Sequence, residues 1–258
     1  MMILGLDLAW ATEPAPRSSG ACLLDGEGRL LQLDLLTGDE EVRALIPEEG
    51  WAWVGIDAPL LVPNRTGMRR CERLLMAMGL RCLPSNQEFM LSHFGGMRGE
   101  ALARSLEGMG FAAASPSSCG ERTYFEVYPY GTLRLIMGRV PRYKRGKLEE
   151  RRRAIHDVIG AMEAWDAPDG LCARLRQETD AARRSELKGL TDLVDAALSA
   201  ACVYSHHISR GRRTQLVGDE GQGYVLLPAQ RSQDEGRERY AGRLPGGGRA
   251  LRVQRGRG

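Results

Sequence analysis

No apolar run in this chain approaches the ~20 residues that span a bilayer, so no membrane-embedded role is expected. The N-terminal MMILGLDLAW has no basic flank, and Asp7 interrupts its apolar stretch. A secretory signal is therefore not expected, and the cytoplasm is the expected compartment. No C-x-x-C pair occurs among Cys22, Cys71, Cys82, Cys119, Cys172 and Cys202. Their irregular spacing argues against zinc ligation and against a disulfide framework, and for reduced, mostly buried thiols. Without secretion, the sequon Asn64-Arg65-Thr66 reads as a turn and a helix cap. Walker A, H-E-x-x-H and G-x-S-x-G motifs are absent. Net charge is nearly absent too, since 36 basic side chains against 33 acidic leave only +3.

What is present is the composition of a soluble globular protein, 43% apolar and 27% charged over 258 residues. Three closely spaced strands open the chain. MILGLDLA, SGACLLD and RLLQLDLL form an antiparallel meander, with Asp25-Gly26-Glu27-Gly28 as the second turn. Asp39 to Ile46 reads as a short helix stopped by Pro47, and WAWVGIDAPL as a fourth strand broken at Pro59. Residues 67–79 read as a helix, with Thr66 as N-cap and Gly79 as its stop. The Gly-, Ser-, Met- and Pro-rich stretch 80–122 shows no clear strand, so 60–122 is read as an insertion, a partly helical lid or cap. TYFEVYP is a fifth strand. Helices follow over 131–138 and 147–165, then the strongest amphipathic stretch, Leu190 to Ser205, and a last short strand, GYVLLP. The expected architecture is α/β, a mixed sheet with helices on its faces over residues 1–228, followed by a flexible Gly- and Arg-rich tail over 229–258.

The acidic residues carry the chemical signal. Asp7 lies inside the first strand, Asp57 ends the fourth, and Glu126 sits within the fifth between Phe125 and Val127. Asp192 and Asp195 are three apart on the best helix, about 60° apart around its axis. Each alone has an ordinary structural reading: a turn, an arginine partner, or a favourable place near a helix N-terminus. Together they are costly, because two carboxylates ~4 Å apart repel by about 4 kcal/mol at an effective dielectric near 20. A divalent cation offsets that cost, and an oxygen-only ligand set favours Mg²⁺ or Mn²⁺ over zinc. Two such ions would clamp the attacking and leaving oxygens of a phosphoryl displacement.

The words GLDLAW, IDAPL, FEVYP, the pair Tyr143-Lys144, DLVDAALSA and GDEGQGYVLLP occur in an order that resembles the domain of unknown function 429. The likeness spans roughly residues 2–228, and it rests on order and spacing, because each word is short. Members of that family are described as predicted nucleases of the RNase H-like fold. The resemblance implies a five-stranded mixed sheet whose first three strands are antiparallel. It also implies a metal site in which Asp7 helps to bind both ions, completed by Asp57, Asp192 and Asp195. Glu126 belongs to the family's own motif. The resemblance speaks to fold more than to activity.

The small net charge hides an uneven distribution. Residues 139–153 carry +6, the last 31 residues +5, and the remainder −8. Lys144, Arg142, Arg145 and the run Arg151–Arg153 suit a nucleic-acid backbone, or else form a solvated helix face. Arg65, Arg69, Arg70 and Glu72 line the site mouth or lie on a surface helix. Trp10, just after Asp7, walls the site or fills the core, and the core is the preferred reading; His206-His207 is assigned to the helix C-terminal dipole. His93 and His156 show no ligand pattern. Three functions are weighed: metal-dependent cleavage of DNA or RNA; phosphotransfer on a sugar-kinase or actin-like fold; and non-catalytic nucleic-acid binding. The second expects phosphate-cradling glycines after Asp7, where Leu8-Ala9-Trp10 stand instead.

Overall fold

A computed structural model describes residues 1–12, 18–117, 119–165 and 167–230. The chain opens with β1 (Met2–Asp7), β2 (Ser19–Asp25), β3 (Leu30–Leu36), α1 (Asp39–Ala44) and β4 (Ala52–Ile56). The middle carries α2 (Arg70–Ala77), α3 (Gln87–Phe94), α4 (Arg98–Gly108), β5 (Ala112–Ala113) and β6 (Arg122–Val127). The last part holds α5 (Pro129–Met137), α6 (Leu148–Ala164), α7 (Asp169–Ala181), α8 (Leu187–Ser209), β7 (Thr214–Asp219) and β8 (Gly223–Pro228). The tail expected over 229–258 lies outside the described residues from 231 onward. Among the described residues no helix is long and apolar enough to cross a membrane.

The mixed sheet runs β3-β2-β1-β4-β6-β8-β7, with β5 beside β6. β1, β2 and β3 are antiparallel neighbours, while β4, β6 and β8 run parallel to β1. The sheet has eight strands, not five. The β7–β8 hairpin extends it past β6, and β5 takes the part of the same β6 edge that β8 leaves free. β5 is only two residues long, below the reach of pattern reading, and β7 follows a tight helix end at Arg210, whose φ is 51°.

Strand alternation divides the core. Ile3, Cys22, Leu24, Phe125 and Val127 face α6, α7 and α8. Leu4, Leu6, Val54, Ile56 and Tyr124 face the other side, covered by Val42, Leu102, Ala103 and Leu106 from α1 and α4. α4 thus forms part of the sheet's second face, although it falls within the segment expected to be a lid or cap. A third cluster packs Cys71 and Leu75 of α2 on Val225 and Leu227 of β8. All six cysteines are free thiols, four of them buried.

α2 begins at Arg69 rather than after Thr66, because the Glu72 carboxylate accepts the Arg69 backbone N–H at 2.9 Å. α3 is capped by Asn86, whose Oδ1 accepts from Phe89 N. α7 went unread in the sequence, although Leu171, Cys172, Leu175 and Thr179 form a helical stripe on α6 and α8. α8 is longer than Leu190 to Ser205, and it is buried on most sides rather than along one stripe.

Candidate functional site

β1 and β4 are parallel neighbours in register, Leu6 beside Ile56, so Asp7 and Asp57 come next at the same end of the sheet and on the same face. The backbone N–H of Asp57 donates to Leu6 O at 2.9 Å, extending the ladder to the acidic pair. α8 lies on this face because two strand positions carry no side chain. A Cβ on Gly5 would stand 2.3 Å from Ala196 O, and one on Gly20 2.2 Å from Asp192 O. That close approach brings Asp195 down onto the strand ends. One carboxylate oxygen each from Asp7, Asp57 and Asp195 lie within 4.8 Å of one another.

Asp195 is fully buried and held on both oxygens. Tyr143 Oη donates to Oδ1 at 2.6 Å, and the Lys144 ammonium pairs with Oδ2. Arg151 steadies this loop by donating to Tyr143 O at 3.0 Å and to Leu187 O at 2.8 Å. The electrostatics reflect three carboxylates facing one cation. Burial, then Asp195 and Asp57, push Asp7 well above the usual carboxylate range. Burial, then Asp195, push Asp57 up to about 8, with Lys144 opposing. Burial raises Asp195 as well, while Lys144 and Tyr143 pull it back. Burial acts to lower Lys144, but Asp195, Asp7 and Asp57 hold its ammonium above the ordinary range.

The other expected site residues are placed differently. Asp192 is not one of the three and pairs instead with Lys188, whose Nζ reaches both of its oxygens at 2.7 and 2.6 Å. It still borders Asp7 in a cavity of about 250 Å³ walled by Trp10, His93 and Phe94. Glu126 pairs in register with Ile56, so strand alternation turns it to the opposite face from Asp57. There it takes two contacts from the buried Arg69 guanidinium at 2.9 and 2.6 Å, and one from Leu60 N at 3.0 Å. Arg69 also reaches Glu72 at 2.9 Å. This buried network ties the Asp57-Ala58-Pro59 turn to α2, and so gives Glu126 a structural task in this chain.

Lys144 and Arg145 share a cavity of about 610 Å³ with Asp57 and Asp195, and Arg142 lines the next hollow along. Of the run at 151–153, Arg151 and Arg152 spend donors on backbone carbonyls, Arg152 reaching Ala182 O at 2.6 Å. Arg153 bonds Glu149 O within its own helix at 3.4 Å. Arg65 is exposed and paired with Glu88, and Arg70 stands 3.5 Å from Asp219. Neither lines a cavity that holds a triad carboxylate.

Trp10, expected in the core, packs partly buried against the second core cluster and also walls both cavities. Its indole N–H donates to Asp57 O at 3.1 Å, and its ring meets Phe94 edge-on. His206 and His207 stand in the last turn of α8 as expected, and burial lowers the pKa of both rings. Lys188 was not singled out from sequence; it stood four residues before Asp192, a spacing that permits a helical ion pair. Tyr143 belonged to the quoted Tyr-Lys pair, but its bond to Asp195 was not legible there. Arg69, expected at the site mouth or on a surface helix, is instead buried between Glu126 and Glu72.

Residues 5–222 match the family described as "Protein of unknown function (DUF429)", and the chain belongs to that family. No curated protein and no solved structure matches it.

Proposed function

We propose that this family member hydrolyses phosphodiester bonds of nucleic acid, with divalent cations held by Asp7, Asp57 and Asp195 on an RNase H-like fold. The fold assignment is supported by the block β3-β2-β1-β4-β6, which has its first three strands antiparallel and helices on both faces. The observation that carries the reading is the convergence of three carboxylates from β1, the end of β4 and α8 to within 4.8 Å. Clustered, raised carboxylates of this kind fit a hard cation, Mg²⁺ or Mn²⁺. When bound, such a cation supplies Lewis acidity at the scissile phosphate.

The chain's own residues hold and orient. Tyr143 and Lys144 fix the Asp195 carboxylate in one rotamer, a support that ligating carboxylates commonly need. Asp7 faces both Asp57 and the cavity that holds Asp192. A second ion would take Asp7 and Asp192 once Lys188, whose side chain is 73% exposed, turns into solvent. Lys144, Arg145 and Arg142 lie along one side and meet the phosphates of DNA or RNA. Trp10 stands between the two halves and limits water above Asp57.

The test is cleavage of labelled single- and double-stranded oligonucleotides with Mn²⁺ or Mg²⁺. Asp7→Asn should lower the rate at least ~100-fold, beyond the usual cost of disturbing a ligand's support, with an unchanged circular dichroism spectrum. Equal cleavage by a clean Asp7→Asn preparation would contradict the reading. One observation favours a second reading, nucleic-acid binding without catalysis: Lys144 already neutralises one of the three carboxylates with no cation required. Binding indifferent to EDTA, with no cleavage under any cation, would select it.

A further inference from the structure

We propose that the site accepts an unpaired nucleotide, whose base leaves its stack and enters the cavity beside Asp57. The proposal rests on the phosphodiesterase reading and names its substrate as single-stranded nucleic acid. The cavity of about 610 Å³ shares Asp57, Asp195 and Lys144 with the carboxylate site. Beyond them, beside the mutually paired Arg69, Glu72 and Glu126, the wall is apolar, with Leu83, Tyr128 and Tyr130 among its residues. A phosphate has no use for such walls, whereas a base has two apolar faces that pack on aromatic side chains. The volume lies within the ~300–1,000 Å³ of sites that enclose small organic groups.

The aromatic pair is fixed before any ligand arrives. The Tyr128 and Tyr130 rings stand 5.8 Å apart at 37°, and Tyr128 Oη donates to Arg81 O. At the mouth, Tyr130 is 38% exposed and Leu83 57% exposed, large apolar groups left open beside a charged site. Arg81 and Arg145 line the same cavity, and among the described residues neither guanidinium has a partner. An apolar pocket flanked by free guanidiniums next to carboxylates matches a base between two backbone phosphates. A base held inside a duplex cannot reach these walls without being flipped out, which costs unpairing and unstacking.

The experiment measures fluorescence anisotropy of a labelled single strand, as DNA and as RNA, and of the duplex of the same sequence. Ca²⁺ replaces Mg²⁺ and Mn²⁺ to hold cleavage off. Single strands of at least one of the two kinds should bind ~10-fold tighter than the duplex. Tyr130→Ala should lose ~10-fold of single-strand affinity, the scale of one stacked base, while Tyr130→Phe retains it and duplex affinity does not move. Equal affinity for both forms, no single-strand binding, or an unaffected Tyr130→Ala would each overturn the proposal. A Mn²⁺ cleavage assay separates the two ideas. Single-strand binding that depends on Tyr130, with no cleavage at all, removes the nuclease reading and keeps the base pocket. Equal kcat/KM on single strand and duplex does the reverse.

Discussion

At Asp195, burial and hydrogen bonding pull in opposite directions. Desolvation favours the neutral acid, while Tyr143 and Lys144 favour the carboxylate. At Asp57 only the charge of Lys144 opposes, and burial with Asp195 nearby lifts it to about 8, against about 3.9 in an unfolded chain. The folded state therefore binds that proton more tightly. Its contribution to stability is complete below pH ~4 and is lost as pH rises through about 8. A cation competes with the same proton, so metal affinity should rise over that window. Differential scanning fluorimetry checks this. At ~100-fold excess over Kd, Mn²⁺ should raise Tm by ~5 °C or more at pH 8.5 and by little at pH 5. Equal gains at both pH values would count against a proton-competed site. Asp7 and Asp57 were legible because a carboxylate inside or ending an apolar strand is costly without a partner. The choice between Asp192 and Asp195 was not legible. About 60° of helix separates them, and the close packing of the α8 backbone on Gly5 and Gly20 decides which one meets the strand ends.

At the level of elements, the seating of α8 on β1 and β2 sets the site. Gly20→Ala would place a methyl 2.2 Å from Asp192 O, so α8 must lift off the sheet. The expected cost is ~1–3 kcal/mol of stability, together with loss of the Mn²⁺-induced Tm gain. Gly120→Ala, outside any helix or strand, meets nothing within 4 Å, and should cost no more than ~0.5 kcal/mol. Denaturant unfolding of both variants distinguishes a close-contact requirement from a general intolerance of alanine. Six of the eight strands were legible from alternation and turn residues, as in β1 and β2. β5 and β7 were not: β5 is two residues long, and β7 is an edge strand that pairs only with β8 and shows no alternation in its burial. Glu126 was legible as unusual but not as to its partner. Its strand parity against Asp57 follows from the β4–β6 register, which a single sequence does not reveal.

Over the whole molecule, the overall charge of +3 conceals a division of labour. Part of the basic segment at 139–153 holds the fold together: Arg151 and Arg152 bind backbone carbonyls. Lys144 and Arg145 face the carboxylate cavity. Arg145→Ala should therefore weaken nucleic-acid binding across sequences. It should also flatten the log K against log salt slope by ~0.7 for a single strand, whereas Arg153→Ala should leave the slope unchanged. Titrations at three salt concentrations read both. Whether Asp7, Asp57 and Asp195 hold a cation is decided by anomalous scattering from crystals grown with Mn²⁺. A peak is expected within ~2.0–2.6 Å of oxygens from all three carboxylates, the range of hard-cation bonds to oxygen. Ordered density for all three carboxylates with no anomalous peak among them would contradict it.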